Sequence, residues 1–270
     1  MFRFFPASQS QEVVSQVQRF TCNDIAHILS NATADSLVIL DIDDTVGRVS
    51  TSIGLDAWFR FRIQQYITDG HDHTKALTNA ITLYNLAQLA SRIMVPVDKC
   101  NPIAPLIAEL KMKGAKVIGL TARNHELTDK TIELLKTLGV TFSPDVFPSV
   151  AFMLDEKPVV MKDGVIFANG NHKGRCLEFA QEKGHIVLSD TYAHIHFADD
   201  SLRNCDHVAE SLIALKIRKC TVWHYTYAEE NLKFGDDHKA RAAIQETVLR
   251  EESILLTDEE ADERLSLSLF

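Results

Sequence analysis

The apolar run "SLVIL" ends in Asp41, and Asp43 and Asp44 follow at once. A buried strand that simply ended in solvent would need one charge at most, so this grouping asks for a positive partner. Two later apolar runs end in a similar way, "AKVIGL" at Thr121 and "HIHFA" at Asp199 and Asp200. If the three strands lie parallel in an open twisted sheet, their carboxyl ends converge on one crevice. Carboxylates gathered there repel one another and persist at neutral pH only beside a cation or with raised pKa values. A donor set made only of oxygen fits Mg²⁺.

Asp41 and Asp43 lie two residues apart, so both can reach one end of the strand as it uncoils, one carboxylate free to attack and the other to move a proton. Lys173, in "NHKG" at the start of a helix, can neutralise a phosphate and the attacking carboxylate together. Thr121 can donate a hydroxyl hydrogen bond to a phosphoryl oxygen. Together these residues outline a phosphoryl-transfer site. Taken singly, each has a plainer reading: the acids as a solvated strand end or helix cap, Thr121 as a strand-end residue, Lys173 as a surface lysine.

These side chains need a sheet whose strands alternate with helices. The pattern predicts a helix over about residues 9 to 30, a polar turn "SNATADS" and then the first strand. Leu55, Trp58, Phe59, Ile63, Tyr66 and Ile67 recur at helical spacing, and a second helix is predicted over about residues 75 to 92; the two form a helical insert. A helix closed by Gly114, with Glu109 and Lys113 spaced as an i,i+4 pair, leads into the strand ending at Thr121. Leu127, Thr131, Leu134, Leu135 and Leu138 mark the next helix, "PVVMKDGVIFANG" reads as a hairpin turning at Asp163-Gly164, and helices follow from Lys173 and from about Leu202. "CTVWHYT" is the last strand. The fold class is α/β with a largely parallel sheet.

In order along the chain, "VILDIDDTV", "VIGLTAR", the lysine of "NHKG" and "IHFADD" resemble the four motifs of the haloacid dehalogenase-like (HAD) phosphohydrolases. The resemblance implies a Rossmannoid core carrying a small helical cap inserted after the first motif. It further implies that Asp41 is the nucleophile of an aspartyl-phosphate mechanism and that Asp43 protonates the leaving group and later activates water. Thr121 and Lys173 would bind the phosphoryl group. Mg²⁺ would be held by the Asp41 carboxylate, the Asp43 carbonyl and the pair Asp199 and Asp200, with Asp200 favoured as the direct ligand. Arg123 would touch substrate, and Thr45 would order the loop. The cap would cover the crevice and select substrate through Trp58, Phe59 or Phe61, although Trp58 and Phe59 fall on the apolar helical face and suit the core. "STSIGLDAWFRF", "GVIFANGNHKG" and "IHFADDS" are similar to a bacterial branch of these proteins known as DUF2608.

On this reading residues 1–46 and 96–235 form the core, 47–95 the cap, and 236–270 a C-terminal helix and acidic tail. A formal net charge of -9 without a basic patch argues against nucleic acid or an anionic membrane as partner. No apolar run approaches the roughly 18 to 20 residues of a membrane helix, so a soluble chain is expected, cytoplasmic or exported. Five scattered cysteines, never in a C-x-x-C arrangement, suit reduced thiols. The pairs His71/His73 and His194/His196 lack a third zinc ligand and suit structural roles. The tail "ETVLREESILLTDEEADERLSLSLF" reads as an acidic frayed end, with a weak resemblance to glutamate-block signals of effectors exported by type IV secretion.

The sequence therefore supports a Mg²⁺-dependent phosphatase acting on phosphomonoesters. Two alternatives stand beside it: a protein phosphatase acting on phosphotyrosine, as a secreted effector, and a non-catalytic binding protein on the same fold.

Overall fold

A computed structural model of the chain describes residues 16–267. The first element already differs from expectation: Gln16–Cys22 is a strand, β1, where a helix over about residues 9 to 30 was anticipated; residues 9–15 of that span lie outside the described residues. Val17, Phe20 and Thr21 favour extended backbone, and the open edge of the strand Lys219–Tyr225 supplies a parallel partner in register from Gln16↔Lys219 to Cys22↔Tyr225. The Phe20 ring also packs on Trp223 at 5.1 Å. The helix begins only at α1 (Ile25–Ser30), where the Asp24 side chain accepts from the backbone N–H groups of Ala26 and His27.

β2 (Ser36–Leu40) is buried along its whole length. Val38 and Leu40 face one apolar core while Leu37 and Ile39 face the other, the period-two pattern of a central strand covered on both faces. The chain then leaves the sheet through β3 (Gly47–Val49), forms α2 (Asp56–Thr68) and α3 (His73–Ala90), and returns through β4 (Met94–Pro96), which pairs antiparallel with β3. This is the segment in which the sequence placed two helices.

α4 (Ile103–Met112), β5 (Lys116–Thr121) and α5 (Thr128–Thr137) follow as expected. β6 (Val150–Leu154), β7 (Lys157–Lys162) and β8 (Val165–Phe167) make an antiparallel run. Its second turn has Asp163 and Gly164 both at positive φ, 49° and 77°, as a two-residue hairpin requires. α6 (Lys173–Glu182), β9 (His194–Asp199), α7 (Leu202–Ala214) and β10 (Lys219–Tyr225) complete the alternation. The sheet order is β1-β10-β9-β2-β5-β8-β7-β6, parallel from β1 through β8 and antiparallel beyond it. Among the described residues no helix is long and apolar enough to cross a membrane, and all five cysteines are free thiols.

Through residue 267 the C-terminal segment is not frayed; residues 268–270 lie outside the described residues. After α8 (Tyr227–Asn231), α9 (Asp236–Glu252) and α10 (Asp258–Leu267) fold back, burying Leu255, Leu256 and Ala261. They also fasten the segment between β3 and β4. Gln245 Oε1 accepts from the Ile53 N–H at 2.9 Å, and Arg62 pairs with Glu246 at 2.9 Å.

Candidate active site

Because β9, β2 and β5 are neighbours and parallel, Asp41, Thr121 and the Asp199-Asp200 pair emerge at one edge of the sheet. Asp41 is still on the ladder, its N–H donating to the Ala198 carbonyl at 2.9 Å. The chain then turns tightly: the Ile42 carbonyl accepts from both Val46 and Gly47 at 3.0 Å, and Asp44 adopts φ 54°. Asp43 is thereby kept at the same edge as Asp41. The Thr45 hydroxyl was expected to order this loop, yet among the described residues it is buried without a hydrogen-bond partner, and the loop is held by its backbone turn and by Arg123 on Asp43.

Lys173, the first residue of α6, is the cation that the acids called for. Its Nζ lies 2.5 Å from Asp41 Oδ1 and 2.7 Å from Asp199 Oδ2, and it is 2% exposed. Burial opposes its charge, but Asp199 and Asp41 outweigh burial and hold its pKa above the ordinary lysine range. Gly174 lets the helix start close to α7, since a Cβ there would overlap the Ser211 hydroxyl and lie 2.5 Å from the His207 carbonyl.

The two acids at the end of β9 differ in their surroundings. Asp199 is saturated: one oxygen holds Lys173 and the other accepts from Ser201 N–H at 2.9 Å and Asn204 Nδ2 at 3.0 Å. Asp200 is anchored through its backbone, where His224 Nε2 donates to its carbonyl at 3.0 Å. Among the described residues no hydrogen bond or ion pair is made by its carboxylate. Burial raises the Asp200 pKa, and Asp41, Asp199, Asp44 and Asp56 push it the same way. Burial also raises Asp41, with Asp199 and Asp43 adding to it against the pull of Lys173.

Carboxylate oxygens of Asp41, Asp199 and Asp200 all lie within 4.8 Å of one another. One lysine for three such groups leaves negative charge over, and the donors are all hard oxygens, so the cluster fits a divalent cation of the Mg²⁺ type. With both Asp199 oxygens engaged, Asp41 and Asp200 are the carboxylates with capacity left for it.

Thr121, fully buried, accepts the Arg123 N–H at 3.1 Å, which leaves its hydroxyl hydrogen available to another acceptor. Arg123 is 4% exposed and its side chain is spent on the protein: Nε and Nη2 bind the two oxygens of Asp43 at 2.9 and 2.7 Å, and Nη1 binds Thr131 at 3.1 Å. The expected substrate contact is therefore a clamp on Asp43 in this state. Trp58, 1% exposed, belongs to the apolar core. Phe61 is half-buried, its ring 5.7 Å from that of Phe234.

A cavity of about 600 Å³ opens beside Asp200 and Asp44, lined also by Arg60, Leu202, His224 and Phe234. Neither Trp58 nor Phe61 lines it. The residues that sequence reasoning missed are Asn204, which holds Asp199, and His224, which holds the Asp200 backbone. Asn204 sits one turn into the helix after the acid pair, where an amide can reach back to a strand end. His224 lies on β10 and comes near Asp200 only through sheet pairing, with no local signal.

A sequence profile described as "Protein of unknown function (DUF2608)" matches residues 18–262. No curated protein matches the chain. Among solved structures, a phospho-aspartyl intermediate analogue of phosphoserine phosphatase is similar at 17% identity and TM-score 0.34, covering 73% of this chain and 97% of that one. A class C acid phosphatase from Bacillus anthracis with tungstate bound is similar at 11% identity and TM-score 0.33, over 86% and 84% of the two chains. The HAD domain of a Legionella pneumophila effector protein is similar at 14% identity and TM-score 0.31, over 76% and 96%.

Proposed function

This chain belongs to the DUF2608 family, and we propose that it is a divalent-cation-dependent phosphomonoesterase in which Asp41 is the nucleophile. The observation that carries this reading is the arrangement around Lys173: its ammonium joins Asp41 to Asp199 while the Asp200 carboxylate stands beside them without a hydrogen-bonding partner.

Asp41 attacks phosphorus with the oxygen not held by Lys173. The bond to the leaving-group oxygen breaks as the aspartyl-phosphate forms, and Asp43 delivers a proton to that oxygen. Water then attacks phosphorus, Asp43 takes its proton, and phosphate departs with Asp41 restored. Thr121 donates its hydroxyl hydrogen to a phosphoryl oxygen, and Lys173 balances the charge of phosphate and aspartate through both steps. A divalent cation held by Asp41 and Asp200 supplies further positive charge to the phosphoryl oxygens when bound. Asp199 keeps Lys173 aimed at Asp41 and takes no part in bonding phosphorus. The substrate class is a phosphomonoester, on a small molecule or on a protein.

Asp41→Asn keeps the shape of the site and removes the nucleophile. Hydrolysis of a chromogenic aryl phosphate with Mg²⁺ is expected to fall by about 10³ or more. A variant that turns over at the wild-type rate would overturn the assignment.

A further inference from the structure

A second cavity, of about 300 Å³, lies next to the first, and its lining differs in charge. Arg48, Lys99, Lys233 and His238 surround it, brought from β3, from just after β4, from just after α8 and from α9. Among the described residues, Arg48, Lys99 and Lys233 make no ion pair and no side-chain hydrogen bond, although the chain carries 37 acids against 28 Lys and Arg. Arg48 also faces Asp44, whose carboxyl it pulls down against burial, whereas Lys99 and Lys233 are exposed with their ammonium groups uncommitted. The one acid on the wall, Asp258, is already engaged by the Ser52 N–H at 2.7 Å and Gln245 Nε2 at 2.9 Å.

The two cavities adjoin. Arg48, Leu55 and Leu232 line both, so they meet at the Arg48 side chain. Arg48 is also tied to the catalytic loop, because Gly47 before it accepts the Asp44 N–H at 3.2 Å and bridges to Asp43. The first cavity reaches Asp200 and Asp44. A ligand that extends from Asp200 through the first cavity would meet the cationic wall at Arg48.

We propose that this second cavity is an anion subsite and that the preferred substrate is a small phosphomonoester carrying a second phosphate or comparable anionic group, bound by Arg48, Lys99 and Lys233. The inference rests on the phosphatase reading for the word substrate, and on the cavity alone for the anion. Charge-assisted contacts to phosphate supply the selectivity, which weakens with salt because Lys99 and Lys233 are exposed.

The test compares fructose 1,6-bisphosphate with fructose 6-phosphate, using the full chain with Mg²⁺. Wild type is expected to show kcat/KM about tenfold higher for the bisphosphate, and Lys99→Ala/Lys233→Ala to remove most of that ratio. Equal values for the two esters in wild type, or a ratio that survives the double variant, would overturn the proposal. If neither ester is hydrolysed, hydrolysis of the aryl phosphate decides the phosphatase reading and calorimetry in EDTA decides the subsite separately. Fructose 1,6-bisphosphate bound by wild type and lost in the double variant retains the anion site; no binding by wild type rejects it.

Discussion

The guanidinium of Arg123 grips both carboxylate oxygens of Asp43, at 2.9 and 2.7 Å, from a position that is almost wholly buried. Two parallel bonds fix the plane of the carboxylate as well as its position, which a lysine could not do. In the proposed mechanism Asp43 first gives and then takes a proton, and such a group gains from being held in one position. Arg123→Gln loses the charge and one arm of the fork. We expect kcat for an aryl phosphate to fall by roughly ten- to a hundredfold, with KM little changed, and the fold to lose about 2 kcal/mol as Asp43 is left unpaired. Steady-state kinetics and urea denaturation measure the two effects, and an unchanged kcat would make the clamp purely structural.

Asp200 carries the clearest conflict between stability and binding. Its pKa is raised chiefly by burial, with neighbouring carboxylates adding to the effect. Its ionised form is therefore disfavoured in the folded state relative to the unfolded one. That cost is absent below the unfolded carboxylate value and grows as pH rises above it. Asp200→Asn removes the cost, so the variant is expected to be more stable than wild type in EDTA at pH 7, by on the order of 1 to 2 kcal/mol. Mg²⁺ should reverse the order: at a hundred times its Kd it adds about 2.7 kcal/mol to wild type and little to the variant. Melting curves with and without Mg²⁺ decide this, and equal Mg²⁺ stabilisation of both proteins would remove Asp200 from the cation site.

Much of this site is legible in the sequence because its residues interrupt buried runs. Asp41, Thr121 and Asp199 each follow apolar residues whose burial on both faces makes them read as central strands. Lys173 was placed by its position at a helix start, although nothing local reveals that its ammonium is buried between two carboxylates. The Arg123 clamp on Asp43 spans 80 residues of chain, and no short-range pattern reports a partner at that distance. β1 was missed because a strand at a sheet edge, exposed on most positions, lacks the alternation that marks a half-buried one. One C-terminal helix was expected, but α10 was read as an acidic tail, because beyond α9 only Leu255, Leu256 and Ala261 are buried among the described residues.

His196 is 1% exposed, and among the described residues neither ring nitrogen has a hydrogen-bond partner. Burial, with His194 and Lys219 adding to it, lowers its pKa to about 3. In the unfolded chain it takes a proton below about pH 6.5, whereas the folded protein refuses one until far lower. The unfolded state therefore binds more protons in that window, and stability falls as pH falls, by up to about 1.4 kcal/mol per unit for this one group. His196→Leu, close in volume, cannot titrate. Its stability relative to wild type is expected to be flat above pH 7 and to rise steadily from pH 6.5 to 4.5, as measured by urea denaturation at each pH. A constant difference across the range would show that His196 takes up its proton in the folded protein as readily as in the unfolded chain.

Asp258 holds the segment between β3 and β4 to the C-terminal helices. Its Oδ1 accepts from the Ser52 N–H at 2.7 Å and from Gln245 Nε2 at 2.9 Å, and its Oδ2 accepts from the Ser52 hydroxyl at 3.1 Å. Ser52 and Gln245 are both fully buried, so loss of the carboxylate leaves donors without water to replace it. Asp258→Ala is expected to cost about 2 to 3 kcal/mol. The damage should be local as well as global: backbone amides of residues 50–55 exchange faster, while those of β2 and β5, buried at the centre of the sheet, keep their protection. Hydrogen exchange followed by peptide mass analysis separates the two cases. If exchange at residues 50–55 were unchanged, α10 would not be what holds that segment, and the Gln245 side chain of α9 on Ile53 would be the contact that does.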